Sequence, residues 1–156
     1  MAVKSAGILI YRRRAGAIEV LLVHPGGPFW ARKDAGAWSL PKGEYADEED
    51  PEAAARREFQ EETGWTIKRE LRPLGEVRQK AGKAVTAFAA EGDFDPASLE
   101  SNSFEMEWPP KSGKRASFPE IDRAGWFSLA EASEKMIEGQ RPLLGRLETL
   151  VAGGAT

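Results

Sequence analysis

Apolar residues along this chain fall into short runs separated by charged or glycine-rich breaks. Residues 6–11 (AGILIY) form one run and predict a buried strand, followed by a charged turn over 12–16. Residues 19–24 (EVLLVH) predict a second strand, which Pro25, Gly26, Gly27 and Pro28 break. Phe29 and Trp30 then enter a loop that continues through 31–37 (ARKDAGA), and residues 38–40 form a short extended piece ending at Pro41. The pattern next becomes helical. Asp50 suits an N-cap, Pro51 the first helical position and Glu52 the positive end of the helix dipole. Residues 53–62 are rich in helix formers, and Gly64 suits the left-handed position that ends a helix. Residues 65–71, 74–79, 84–90 (AVTAFAA) and 103–108 (SFEMEW) predict further strands, and 109–116 (PPKSGKRA) a loop. Residues 124–127 predict a short strand. Ser128 caps a final helical region over about 129–150, interrupted near Gly139 and Pro142, and 153–156 read as a frayed tail. Strands around two helical regions predict a mixed α/β (α+β) fold in one domain, residues 1–156.

Composition narrows the chemistry. Apolar residues make up 41% and charged residues 30%, as in ordinary globular proteins. With 22 basic and 25 acidic residues the net charge is −3, so no global basic field points to nucleic acid. There are no cysteines, which excludes disulfides, thiolate metal sites and cysteine nucleophiles. The single histidine, His24, excludes a multi-histidine centre. A metal here needs oxygen ligands and is therefore a hard cation such as Mg²⁺ or Mn²⁺. The apolar run near the N-terminus is too short for a signal segment or a membrane span, so a cytoplasmic location without a membrane partner is expected.

One stretch is electrostatically odd. On a helix, Glu58, Glu61 and Glu62 fall within an arc of about 100°, with i,i+3 and i,i+4 spacing. Each such pair of like charges costs a few tenths of a kcal/mol. Either the face is solvated, or a cation occupies it. Arg57 can hold one carboxylate in position, and Ala55 and Phe59 can dock the helix on a sheet. A cluster this dense suits a divalent cation that also binds phosphate oxygens.

The full spacing decides between these. Gly43, five residues, Glu49, seven residues, Arg57-Glu58-Phe59, one residue, Glu61-Glu62, one residue and Gly64-Trp65 resemble the Nudix box at every fixed position. Phe59 and Trp65 are bulkier than the usual aliphatics there. The resemblance implies an α/β/α sandwich around a mixed sheet, in which the box forms a loop–helix–loop. It also implies hydrolysis of a nucleoside diphosphate linked to another moiety, by water attack on phosphorus with Mg²⁺ or Mn²⁺. The implied metal ligands are Glu58, Glu62, Glu61 (or Glu61 behind the ligands) and the Gly43 carbonyl. Arg57, Glu58, Glu61 and Glu120 are the implied catalytic set, with Arg57 orienting a carboxylate and Glu49 bracing the loop. Glu120, in a segment resembling the one before the last strand of the same subgroup, is the candidate assisting glutamate outside the box. Glu105 and Glu107 compete for that role, but they alternate with Phe104, Met106 and Trp108 as the outer face of a half-buried strand.

Residues 38–43 (WSLPKG) resemble the W-x-x-P-K-G lead-in of Nudix enzymes acting on dinucleoside polyphosphates and related nucleotides. Lys42, Arg32 and Lys33 are therefore candidate phosphate contacts. Trp30, Phe29 and Trp108 are either core aromatics or stacking surfaces for a base, with Trp30 the candidate substrate contact. His24 is either structural or turned to substrate. The signatures of the NADH and coenzyme A subgroups are missing. Ala81 stands where ADP-ribose enzymes tend to have proline, and no tyrosine near it marks a dinucleoside polyphosphate enzyme. The expected substrate is an NTP or dinucleoside polyphosphate. The alternatives are an ADP-ribose-type pyrophosphatase, a non-catalytic nucleotide-binding Nudix domain, and an acidic interaction helix without metal. The partner is a small nucleotide-derived molecule, and the chain is a monomer or a homodimer.

Overall fold

The computed structural model describes residues 4–154. Strand β1 (Lys4–Arg14) turns into β2 (Ala17–Pro25) through Ala15 and Gly16, both at positive φ (51° and 80°), as the tightest hairpin turns require. Strand β5 (Ala84–Glu91) runs parallel to β1 on its other side, and β4 (Arg72–Arg78) lies antiparallel outside β5. Strand β8 (Ile121–Ser128) pairs antiparallel with β2, giving the mixed order β4-β5-β1-β2-β8.

The sheet forks in its middle. β1 pairs with β2 only from Tyr11 to Arg14, and its first half pairs instead with β3 (Lys42–Glu44) at Ser5, Ala6 and Gly7. Between these, the Ile8 N–H donates to the Pro41 carbonyl, and Val23 and Ser39 exchange two backbone hydrogen bonds. Residues 39–44 are thus wedged into a gap between β1 and β2. Gly7 permits the close approach, since a Cβ there would lie 2.7 Å from the Pro41 carbonyl oxygen.

Helix α1 (Pro51–Thr63) covers one face of the sheet, burying Ala54, Ala55 and Phe59 against Ile8, Ile10 and Leu21. Helices α2 (Leu129–Lys135) and α3 (Pro142–Gly154) cover the other, packing Met136, Leu143 and Leu147 near Leu9, Leu22 and Trp38. Coverage on both faces explains the unbroken apolar runs of the central strands. The architecture is the expected α/β/α sandwich. Among the described residues, no helix is long and apolar enough to cross a membrane.

Four expectations change. Residues 65–71 are not a strand: the Arg56 guanidinium donates to the Ile67 and Arg69 carbonyls, supplying partners that a neighbouring strand would otherwise provide. The loop over 109–116 is shorter, because β7 (Arg115–Pro119) pairs with β6 (Ser103–Glu107) in a separate two-stranded sheet. Strand β3 is new. In the tail, Gly153 and Gly154 are helical, whereas Ala155 and Thr156 lie outside the described residues.

Candidate active site

The helix carrying the carboxylates is fixed by its ends. The Asp50 side chain accepts from the Ala53 N–H, Pro51 starts the first turn, and Gly64 closes the last at φ 79° with its N–H on the Gln60 carbonyl. Phe59 anchors the buried face. The opposite edge turns Glu58 and Glu62 toward the wedged segment 39–44, with Arg57 and Glu61 outside them.

Glu58 lies against Gly43. A Cβ at position 43 would overlap the Glu58 carboxylate, so glycine there makes room for it. Its Oε1 accepts from Arg57 Nη1 at 2.7 Å. Arg57 also forks onto Glu49, donating from Nε at 3.0 Å and Nη2 at 3.1 Å, and reaches Glu61 at 3.4 Å. Hydrogen bonding to Glu49 and then to Glu58 holds the guanidinium well above its ordinary pKa, and Arg57 in turn holds the Glu49 carboxyl below its own. Glu62 turns inward and accepts from the Lys42 backbone N–H at 3.2 Å. Burial pushes its carboxyl up to about 8. Burial also raises Glu58, against the opposing pull of Arg57. Burial depresses the Lys42 ammonium, opposed by the charge of Glu62.

The three carboxylates do not converge on one point as the helical spacing suggests. Glu58 takes Arg57, Glu61 stays exposed on the outer side of Arg57, and Glu62 takes the Lys42 amide. Glu58 and Glu61 share Arg57 as donor, and only Glu62 is drawn away, onto the Lys42 amide. Among the described residues, no three acidic or histidine side chains form a ready cage for a metal ion. The donor set nevertheless fits a hard divalent cation. Glu58 and Glu62 are carboxylate oxygen donors driven above their ordinary pKa by burial, and each also feels the negative charge of the other or of Glu120. A cation between them relieves both penalties.

A cleft of about 240 Å³ adjoins this pair, and Lys42, Glu62, Glu120 and Trp30 line it, with Ser39 and Ile137 on its wall. Glu120 therefore joins the box residues, delivered by the start of β8; its carbonyl accepts from the Gly26 N–H at 2.8 Å. Glu105 and Glu107 are exposed on the separate hairpin, where Arg115 pairs with Glu105 and the Glu107 carboxylate caps the hairpin turn. Trp30 and Phe29 are not core: they are 41% and 61% exposed. Trp30 faces the cleft with Lys33 Nζ 5.0 Å from its ring centre, whereas Phe29 packs edge-on against Trp108. Arg32 and Lys33 are exposed in the same loop and do not line the cleft. His24 is fully buried. Its Nδ1 meets Asp122 Oδ1 at 2.8 Å and its Nε2 meets the Lys33 carbonyl at 2.6 Å, so it ties the Trp30 loop to β8 rather than facing the cleft.

Sequence reading missed Gln140. It is fully buried, its Oε1 accepts from the Leu40 N–H, and its Nε2 donates to Ser39 Oγ and Gln79 Oε1. It thereby steadies the strip that leads to Lys42 and Gly43. The available signal was a glutamine beside the Gly139–Pro142 helix break.

A model of the NUDIX domain family matches residues 1–147. The chain belongs to the NUDIX domain family. A 66-residue segment of this Nudix chain is 42% identical to the Caenorhabditis elegans bis(5'-nucleosyl)-tetraphosphatase (asymmetrical), covering 42% of the chain and 44% of that protein. The matched segment is thus under half the length of that relative. A crystal structure of a C. elegans Ap4A hydrolase binary complex superposes with a TM-score of 0.67 at 26% identity, over 97% of this chain and 99% of that one. The NUDIX domain of Shewanella oneidensis NrtR, complexed with ADP ribose, superposes with a TM-score of 0.64 over 97% and 89% of the two chains; at 15% identity it shows the shared fold alone. Nudix hydrolases generally use divalent metals, and the Glu58–Glu62 pair suits one.

Proposed function

We propose that the chain is a divalent-metal-dependent pyrophosphohydrolase. It opens a phosphoanhydride bond of a nucleoside diphosphate derivative, an NTP or a dinucleoside polyphosphate, by water attack on phosphorus. The observation that carries this reading is the half-buried pair of Glu58 on Gly43 and Glu62 on the Lys42 amide, beside a cleft holding Glu120 and Trp30. Membership of the Nudix family and the likeness to the C. elegans Ap4A hydrolase support it.

Glu58 and Glu62 would hold Mg²⁺ or Mn²⁺, with the Gly43 carbonyl as a further oxygen donor and Glu61, on the outer side of Arg57, standing behind the ligands. When bound, the cation neutralises the phosphates and lowers the pKa of the attacking water. Arg57 acts through Glu58: its short hydrogen bond fixes one carboxylate oxygen and leaves the other for the metal. Glu120, which lines the cleft, is the glutamate outside the box that assists the metal or the attacking water. Lys42 supplies a point charge to the phosphates, and Trp30 a stacking face for the base. Arg32 lies outside this set.

The test is an Mg²⁺ and Mn²⁺ screen over NTPs, oxidised NTPs, ADP-ribose, NADH and diadenosine polyphosphates, with products identified in isotopically labelled water. Turnover is expected on an NTP or a dinucleoside polyphosphate. Glu58→Gln is expected to lower kcat by about 10²-fold or more while the circular dichroism spectrum is kept. Full turnover in that variant sinks the assignment.

A further inference from the structure

Glu120 is the single residue between β7, which ends at Pro119 in the small hairpin, and β8, which begins at Ile121 in the main sheet. It is exposed and lies at a bend, where the side-chain alternation of neither strand sets its direction. The ladder to β2 does not hold this end regularly either, because its register slips at His24/Pro25, opposite Ile121. Contacts from elsewhere in the chain fix the bend.

Residues 100–102 supply most of them. On one side this strap closes the end of α1: the Glu100 N–H donates to the Thr63 carbonyl at 2.8 Å, and the Asn102 N–H to the Glu61 carbonyl at 3.3 Å. Both carbonyls belong to the last turn, where a helix has no partners of its own to offer them. On the other side the Asn102 carbonyl accepts from the Glu120 N–H at 2.7 Å, and Ser101 Oγ accepts from the Ile121 N–H at 2.9 Å. The Ser101 hydroxyl donates in turn to the Asn102 carbonyl at 2.9 Å, the same oxygen that holds Glu120. From the loop, the Gly26 N–H takes the Glu120 carbonyl, and a Cβ at Gly26 would overlap the Pro119 carbonyl. The peptide groups on both sides of Glu120 are thus pinned. Of these three bonds, to the Glu120 N–H, the Glu120 carbonyl and the Ile121 N–H, the last alone depends on a side chain, that of Ser101.

We propose that Ser101 is a positioning residue: through the Ile121 amide it sets the direction of Glu120 and its distance from the carboxylates of α1, and so acts on the rate of the chemical step. This rests on the pyrophosphohydrolase reading, with Glu120 as the assisting glutamate. The strap ties the helix that carries Glu58 and Glu62 to the bend that carries Glu120, so the two halves of the site keep a fixed separation although they belong to different elements.

A double-mutant cycle in the full chain tests it, with the metal and nucleotide that give turnover. Ser101→Ala is expected to lower kcat about tenfold with KM within about twofold of wild type, and Ser101→Thr, which keeps the hydroxyl, to restore it. In a Glu120→Gln background, Ser101→Ala is expected to cost nothing further, since the group it positions is already gone. Ser101→Cys keeps the size of the side chain but offers a weak acceptor; it is expected to lose kcat in the same sense and serves if the alanine variant does not fold. Unchanged kcat in both variants, or the same fold-loss with and without Glu120, overturns the proposal. Amide hydrogen exchange gives a readout that needs no turnover: Ser101→Ala is expected to speed exchange at Glu120 and Ile121 while the amides of α1 keep theirs. If no nucleotide is hydrolysed by any variant and those two amides still open, the catalytic reading fails and the hold of Ser101 on Glu120 stands. If hydrolysis proceeds and the two amides exchange as in wild type, the positioning role alone is overturned.

Discussion

At Arg57 a single guanidinium serves three carboxylates. It forks onto Glu49, donates to Glu58 at 2.7 Å and touches Glu61 at 3.4 Å. The fork matches the planar shape that lysine lacks. Glu49, twelve residues before Glu61 in the sequence, is thereby joined to the carboxylate-bearing edge of α1. The link has a pH signature. Hydrogen bonding to Arg57 holds Glu49 below its ordinary value of 4.5. A carboxyl depressed in the folded state gives stability that is present above the ordinary value and lost as pH falls through the depressed one. Thermal melts of wild type and Glu49→Gln should therefore differ at neutral pH and converge in acid. A gap that persists unchanged to pH 2 would remove the ion pair as its source. Residues of this kind were legible in the sequence because their contacts are local: Glu49, Arg57, Glu58 and Glu61 meet through one helix and the loop before it. Trp30 and Glu120 are different. They reach the cleft from positions 90 residues apart, and nothing in either local pattern fixes their exposure or direction.

Among the elements, α1 shows why helix ends read well from sequence and strands less well. Its caps are Asp50 and Gly64, each satisfied within three or four residues. Gly64 is required twice over, by φ 79° and by Glu100, whose carbonyl oxygen would sit 2.9 Å from a Cβ. Gly64→Ala should lower stability by about 1–2 kcal/mol in denaturant unfolding, with an unchanged m-value. A neutral result would mean that the helix end relaxes without cost. Residues 65–71 carry the same apolar spacing as a strand but satisfy their backbone through Arg56, a long-range choice that no local pattern encodes. Strand β3, three residues long, and β7, with its polar RASFP, are below the length and contrast that periodicity can resolve.

Over the whole molecule, the fork between β1 and β2 organises everything described above. Residues 39–44 fill it, α1 closes one face, and Gln140 braces it from the other with two hydrogen bonds, to the Leu40 N–H and to Ser39 Oγ. Gln140→Leu should cost about 2–3 kcal/mol, because the buried Leu40 N–H loses its partner. It should also lower kcat/KM more than an equally destabilising change in α3 such as Leu147→Ala does; equal effects would make Gln140 a packing residue only. The fork also has an evolutionary consequence. The strip bearing Lys42 and Gly43 is held on both sides by strands and from below by Gln140, whereas residues 26–37 are attached at separate points, by Gly26 to Glu120, His24 to Lys33 and Asp34 to Lys135. The outer loop can therefore be lengthened, shortened or exchanged between relatives without disturbing the inner strip. Under the proposed function, recognition by Trp30 and bond cleavage beside Lys42 and Gly43 are separable, and a loop graft over 26–37 is the expected route to a new substrate on this scaffold.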